Sequence, residues 1–462
     1  VGSEMCIRDR HEMVPGSSNL SNFPVLVKLT DDADLPNNQT GHGIRFTSDG
    51  TTAVPFEIES YDQGTRTLVA WVKLTVDHDD DTRFYIHYGQ TDAISPDPAA
   101  NVWTNYVAVN HLHSTPDPTL TNGKKSGDII GSKGVDTDQG GTNQGKHTIP
   151  DGVLDDTWNS MGEMNSDDQV TGKINGALDF DGVNDRICLD DQDGGQKTDP
   201  TRADSDWDCH NQNDASTHFD DMQQNRTIEL WYWAQDASVT TFETLLDAAG
   251  SSNGQAIYVY DDKVYAGNWK SSNNNRDYVS HTTTSQEWHH VAFVTQGASI
   301  TNTGSGKVIL YYDGVNVAES TDGVSVADNN NGDALGCIQG NIRTHLGGSQ
   351  GGAGQSYTTE SNTCFDGMLD EFRVANSVLS ADYIQTSYNT QNDPTNFICE
   401  GICLTETLSL TATTTGVGLG VVQTMPTETL ALTDTITKTV EIQLSDTLLF
   451  DCLLYTSDAA DE

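Results

Sequence analysis

Along residues 11–98 the apolar positions recur with a period of two, in short runs separated by polar turn residues. The runs are Val25-Leu-Val-Lys-Leu29, Gly43-Ile-Arg-Phe46, Val54-Pro-Phe-Glu-Ile58, Thr67-Leu-Val-Ala-Trp-Val-Lys-Leu74 and Arg83-Phe-Tyr-Ile-His-Tyr88. No stretch here carries a 3.6-residue period, so the pattern predicts a small β-sandwich and no helix. Ser95-Pro-Asp-Pro-Ala-Ala100 then interrupts any regular element. From Val102 the strand pattern resumes and runs to about residue 393. Clear strands are Gly176–Ile187, Thr227–Trp233, Thr244–Leu246, Ala256–Tyr260, Val264–Ala266, Trp288–Val294, Val308–Val315 and Phe365–Val374. Asp-Gly pairs break the segments at Asp181, Asp313 and Asp366, the turn chemistry of hairpins. Long polar insertions, Thr115–Ser166 and Asp190–Asp221, separate some strands. Many strands with Gly and Asn turns predict a two-sheet sandwich burying one face of each sheet. A short helix is predicted after the last strand, over residues 380–388, with Ser380 as its N-cap.

The remaining segments differ in kind. Residues 394–451 are Thr-rich and repeat: Thr405-Glu-Thr-Leu-Ser-Leu-Thr-Ala-Thr413 returns as Thr427-Glu-Thr-Leu-Ala-Leu-Thr-Asp-Thr435, a period of 22. The two ends, residues 1–10 and 452–462, resemble translated sequencing adapter, and neither is read as native fold sequence. The fold class is therefore all-β, a small sandwich followed by a larger one, with a repetitive tail.

Residues 11–98 resemble the domain of unknown function DUF2341. The resemblance rests on Asn22-Phe-Pro-Val-Leu-Val27, Gly43–Phe46, Val54–Ile58, the Leu68–Val72 strand with Trp71, and Phe84-Tyr-Ile-His-Tyr-Gly89. Residues 101–393 resemble the laminin-G-like, concanavalin A-type jelly roll, through Gly176–Ile187, Ile228–Trp233, Trp288–Val294, Leu310–Val317 and Gly367–Leu379 taken in order. One departure is Asn110, where relatives carry an aromatic before His111-Leu112. The repeats resemble stalks of microbial, especially archaeal, surface proteins. The jelly-roll resemblance implies a binding module and a calcium ion held near Asp370, with partners near His111–Asp117 or around Asp181 and Asp185. The alternative is that Asp370 caps backbone amides beside Arg373.

Charge and cysteines narrow the class. Acidic residues outnumber basic ones 68 to 23, a net charge of −45, which repels nucleic acid and anionic membrane surfaces. Setting aside Cys6 and Cys452 leaves Cys188, Cys209, Cys337, Cys364, Cys399 and Cys403. An even set in such a chain points to disulfides and an oxidising compartment. Sequence order favours Cys188–Cys209, Cys337–Cys364 and Cys399–Cys403 among the fifteen pairings that six cysteines allow. Sequons at Asn19, Asn38 and Asn225 suit a secreted protein.

Catalytic chemistry finds little footing. Adjacent Asp370 and Glu371 are expected to point to opposite sheet faces, so they cannot serve as the paired carboxylates of a glycosidase. Glu57 and Glu59 share a face but belong to the first sandwich, without an intervening Asp. His111 and His113 share a face with no third ligand in view; His289 and His290 face apart. Trp231 and Trp233 read as core, whereas Trp269 is the candidate sugar-stacking platform. The reading is a non-catalytic extracellular or cell-surface binding and adhesion protein, recognising carbohydrate or surface glycoprotein, with calcium as its candidate cofactor. No membrane-inserting segment is evident. The runner-up readings are the accessory region of a carbohydrate-active enzyme and a structural surface-layer spacer.

Overall fold

A computed structural model describes residues 3–32, 35, 43–88, 101–116, 129–130, 157–161, 164–189, 224–249, 253–270, 275–297, 306–320, 333–337, 342–343, 356–357 and 363–400. Residues 1–404 form one compact unit and residues 405–462 a second. The Thr-rich repeat, the 452–462 end and most of the two polar insertions lie outside the described residues.

The first sandwich comprises β1 (Ser3–Asp9), β2 (Leu20–Leu29), β3 (Arg45–Thr47), β4 (Phe56–Asp62), β5 (Thr67–Val76) and β6 (Arg83–Tyr88). One sheet has the order β2-β5-β4. The other places β1 against β6, with β3 on the far side of β6. In β5 every residue from Leu68 to Val72 is buried. Such a continuous apolar run, rather than alternation, marks a strand covered on both faces. The residues 1–10 set aside in the sequence contribute β1, which pairs with β6 on one side and has Ile7 buried.

The larger sandwich holds β7 (Ala108–Asn110), β8 (Ile129–Ile130), β9 (Thr157–Met161), β10 (Gln169–Thr171), β11 (Gly176–Asp181), β12 (Arg186–Cys188), β13 (Arg226–Ala234), β14 (Glu243–Ala249), β15 (Asn253–Tyr260), β16 (Lys263–Lys270) and β17 (Asn275–Thr282). It continues with β18 (Trp288–Gln296), β19 (Lys307–Tyr312), β20 (Val315–Ser320), β21 (Asp333–Leu335), the small β22–β23 pair (Ile342–Arg343, Ser356–Tyr357) and β24 (Asp366–Ala375). A front sheet runs β10-β11-β24-β13-β18-β19-β20, with β7 also on β24; a back sheet runs β17-β16-β15-β14-β21-β12-β9-β8. Their inner faces interdigitate through Leu178, Phe180, Ile228, Leu230, Leu246, Ile257, Val291, Phe293, Leu310, Leu369, Phe372 and Val374. The Asp-Gly segments at Asp181 and Asp366 are direct neighbours, with Leu178 opposite Leu369 and Asp181 opposite Asp366. The β19–β20 turn has positive φ at Asp313 and Gly314, as a two-residue hairpin of the primed type requires.

After β24 come α1 (Ala381–Asn392) and α2 (Pro394–Phe397), then β25 (Ile398–Glu400), which returns to pair with β1 of the first sandwich. Ser380 caps α1 by accepting the Tyr383 N–H at 3.1 Å. The two sandwiches share a core: Trp71, Val72 and Phe23 cluster with Ile174, Val294, Ile309, Tyr311, Tyr383 and Ile384. The outer face of the front sheet is thus covered by α1 and by the first sandwich.

Candidate functional site

The seam between the sandwiches holds a buried cluster of ionisable groups. Strand β4 presents Glu57 and Glu59. From the other side come Trp103 and Tyr106, then His111 and His113 just beyond β7, and Glu371 and Arg373 on β24. The Trp71 indole N–H donates to Glu59 Oε2 at 2.9 Å, and the Trp103 indole N–H donates to Glu57 Oε2 at 2.6 Å. His111 Nδ1 lies 2.7 Å from Glu371 Oε1 and 3.6 Å from Glu59 Oε2, while its Nε2 lies 3.5 Å from Glu57 Oε2. His113 stacks on His111 with ring centroids 5.9 Å apart and sets its Nδ1 3.7 Å from Glu59 Oε1. Arg373 donates to the other Glu371 oxygen, Oε2.

A β-bulge builds this arrangement and corrects the expectation that Asp370 and Glu371 point apart. The β13–β24 register shifts between Glu229 and Trp231, and Glu371 takes φ +55. The extra residue breaks the alternation, so Leu369 and Phe372 stay in the inner core while both intervening carboxylates turn to the seam.

Burial and charge set the protonation of the cluster. Burial pushes Glu59 up to about 7 despite the opposing pull of His111. Burial and the neighbouring Glu371 charge hold Asp370 well above the usual carboxylate range, against the Ile174 N–H that donates to its Oδ2 at 3.0 Å. Burial would raise Glu371 as well, but His111 and Arg373 outweigh it and bring the group down to about 2. Burial would lower His111, yet Glu371, Glu59 and Glu57 raise it well above its ordinary value. Burial, with the charge of His111, brings His113 down to about 4. Several buried polar atoms make no hydrogen bond: Glu59 Oε1, Asp370 Oδ1, His111 Nε2 and His113 Nδ1.

A second feature lies on the outer face of the back sheet. Ile257, Val259, Val264 and Ala266 point into the core, so the alternating residues Tyr258, Tyr260, Tyr265, Gly267 and Trp269 point away from it. Tyr258 stacks on Tyr265 (5.1 Å) and Trp269 on Tyr278 (6.4 Å). Gly267 lies opposite Tyr278 in the β16–β17 register; a Cβ there would sit 2.1 Å from that ring. Tyr260 and Tyr278 are half-buried at the margin of this layer.

The site residues expected from sequence fare unevenly. Trp269 is on the outward face but has 0% exposure, so it is not the open platform expected of it; Tyr278 and its other neighbours close over it. Asp181 accepts the Val183 and Asn184 N–H groups in its own turn, and Asp185 Oδ2 accepts the Asp181 N–H. Because Asp181 is registered opposite Asp366, it stands four positions along β24 from Asp370. The structure therefore does not bring Asp370 together with Asp181 and Asp185, and Asp117 lies outside the described residues. The groups that do gather beside Asp370 include imidazole nitrogen and a guanidinium, which do not make the all-oxygen cage calcium takes. Cys337 and Cys364 are joined, with Cα atoms 4.2 Å apart. Cys399 is also disulfide-bonded. Cys209, Cys403 and the Cys188 side chain lie outside the described residues. Glu57, Glu59, His111 and Glu371 were visible only as period-two pairs or neighbours; their convergence depends on docking two sandwiches and on one bulge.

Residues 40–113 match the model of a domain of unknown function, DUF2341, and residues 210–385 match that of the concanavalin A-like lectin/glucanases superfamily. The order of the two is the one read from the sequence. No curated protein matches the chain. Among solved structures, the chain is similar to the binding domain of botulinum neurotoxin DC in complex with rat synaptotagmin II (12% identity, TM-score 0.26, covering 37% of this chain and 36% of that one). It is similar to domain 4 of AbnA, an extracellular arabinanase from Geobacillus stearothermophilus, in complex with arabinotriose (17%, TM-score 0.28, 48% and 80%). It is also similar to the botulinum neurotoxin serotype D binding domain (9%, TM-score 0.34, 62% and 51%). The chain spans 36% of the first and 51% of the last of these structures. No helix among the described residues is long and apolar enough to cross a membrane.

Proposed function

We propose that this chain is a non-catalytic binding and adhesion protein of the extracellular space or cell surface, recognising carbohydrate or a surface glycoprotein through its jelly roll. The observation that carries the reading is the pair of half-buried rings, Tyr260 and Tyr278, at the margin of the aromatic layer on the outer face of the back sheet. The inner faces of both sheets are consumed by the core, and the front sheet's outer face is covered by α1 and the first sandwich. Tyr258, Tyr265 and Trp269 are themselves covered, so what is left for a ligand is the margin of the back sheet's outer face and its loops. There the half-buried rings of Tyr260 and Tyr278 flank Tyr258, Tyr265 and Trp269. Aromatic faces of this kind suit the apolar faces of sugar rings. The Thr-rich repeat beyond residue 404 supports display on a stalk, and the Cys337–Cys364 disulfide supports an oxidising compartment. The division near residue 100 between the two sandwiches belongs to the same proposal, while β1 and β25 extend the smaller sandwich beyond 11–98.

A glycan array probed with the full chain, with and without EDTA, tests it. Binding to a defined glycan class, abolished by Tyr278→Ala, supports the reading. Loss of that binding on EDTA treatment, restored by calcium, would add calcium as a cofactor. No binding to any glycan or glycoprotein would favour a spacer instead.

A further inference from the structure

The seam cluster has a composition that a plain salt-bridge latch does not explain. Four carboxylates, Glu57, Glu59, Asp370 and Glu371, gather here, and the Arg373 guanidinium beside them is committed to Glu371 Oε2. Glu371 Oε1 is left facing His111. Glu59 is fully enclosed, with a side-chain exposure of 1%, yet its Oε1 finds no hydrogen-bond donor. Asp370, 0% exposed, likewise leaves Oδ1 without one. A buried acceptor without a donor is costly, and a latch shaped only for stability would satisfy it.

The geometry points to a metal site. We propose that Glu59, His111 and Glu371, with His113 beside them, bind one divalent first-row transition ion of the zinc class at the seam of the two sandwiches. One ligand atom from each of Glu59, His111 and Glu371 can be chosen so that all lie within 4.8 Å of one another. Around a tetrahedral zinc ion, nitrogen and oxygen ligands stand about 3.3 Å apart. His111 Nδ1 and Glu59 Oε2 are already 3.6 Å apart, and His113 Nδ1 and Glu59 Oε1 are 3.7 Å apart. The 2.7 Å approach of His111 Nδ1 to Glu371 Oε1 has to open. Mixed imidazole and carboxylate donors select such an ion over calcium. The ion would give Glu59 Oε1, which has no hydrogen-bond donor, a partner. It would also tie β4 of the first sandwich to β24 and the segment after β7 of the second, since its ligands come from both.

A second group, His11, Glu12 and Asp81, is half-exposed and serves as an internal control. The experiment uses the full chain stripped with EDTA. It is titrated with zinc by calorimetry and with cobalt(II) by visible absorption, with folding checked by near-ultraviolet circular dichroism. We expect a single tight equivalent, with affinity falling at least about 100-fold in Glu59→Gln and His111→Gln and unchanged in His11→Gln. Excess calcium should not displace the zinc. Should either seam variant fail to fold, X-ray absorption on the zinc-loaded wild-type chain decides, through the presence or absence of imidazole scattering in a nitrogen and oxygen shell. The proposal is overturned if the folded wild type takes up no zinc, if the seam variants bind as the wild type does, if His11→Gln abolishes uptake, if calcium displaces the zinc, or if the bound ion shows no imidazole ligand.

Discussion

The guanidinium of Arg373, on the last strand of the larger sandwich, lies 4.4 Å from the ring centroid of Trp71, on the central strand of the smaller one. Trp103 flanks the same guanidinium at 4.7 Å, and Glu371 takes its hydrogen bond. One buried cation thus joins the aromatic and ionic halves of the seam. Removing it leaves Glu371 buried with His111 as its remaining counter-charge. Arg373→Met should therefore cost about 3–5 kcal/mol in urea unfolding, and the Arg373→Met/Glu371→Gln double variant should recover part of that loss. A double variant no more stable than the single one would show that the pair is not coupled.

The Cys337–Cys364 bridge closes a loop with a sequence separation of 27. Chain-entropy reasoning assigns a loop of that size about 3.5 kcal/mol. The Cys337→Ser/Cys364→Ser variant should lower the thermal midpoint in step with that figure, and added reductant should have no further effect at this pair. A midpoint equal to that of the wild type would show that the bridge does not constrain the unfolded chain.

On the back sheet, Gly267 makes room for the Tyr278 ring. Gly267→Ala should destabilise by about 1–3 kcal/mol through overpacking. In a Tyr278→Ala background the same change should cost far less, so a double-mutant cycle in chemical denaturation reads the contact directly. Additive costs would mean that the ring does not rest on this glycine.

How much of this was legible in the sequence depends on the range of the interactions involved. Most local signals held: the alternating runs became strands, Ser380 capped its helix, and the Asp313-Gly314 pair made its hairpin, whereas Asp366-Gly367 opens β24 without a turn. Each rests on a few consecutive residues. The other failures are tertiary. Trp269 sits on the outward face of its strand, but alternation cannot say what covers that face, and the ring proved buried. Asp370 and Glu371 were expected on opposite faces, as period two demands. A bulge with φ +55 at Glu371 reversed this, and no local turn residue announces such a bulge. Glu57 and Glu59 were visible as a pair sharing a face. Nothing in their own strand showed that His111 would meet them, because that contact needs both sandwiches in place.

Glu243 gives the fold a pH dependence of known sign. Burial, with the nearby charges of Asp366 and Asp236, outweighs the Asp366 N–H and raises this carboxyl from 4.5 to about 8. Between those values the folded state holds a proton that the unfolded chain has released. Its contribution is full below pH 4.5 and is lost as pH rises through about 8. Stability should therefore fall across this window, with a slope from this group of at most about 1.4 kcal/mol per pH unit. Glu243→Gln should flatten that part of the curve and stabilise the protein most at the alkaline end. An unchanged slope would place the titration elsewhere.

The central claim is that the outer face of the back sheet holds a glycan without transforming it. Saturation-transfer difference NMR on the full chain, with an oligosaccharide selected on the array, tests this most directly. We expect saturation on the sugar ring protons, its loss in Tyr260→Ala and Tyr278→Ala, and an oligosaccharide that stays intact throughout the incubation. Cleavage of the sugar, or saturation that persists in both variants, would contradict it.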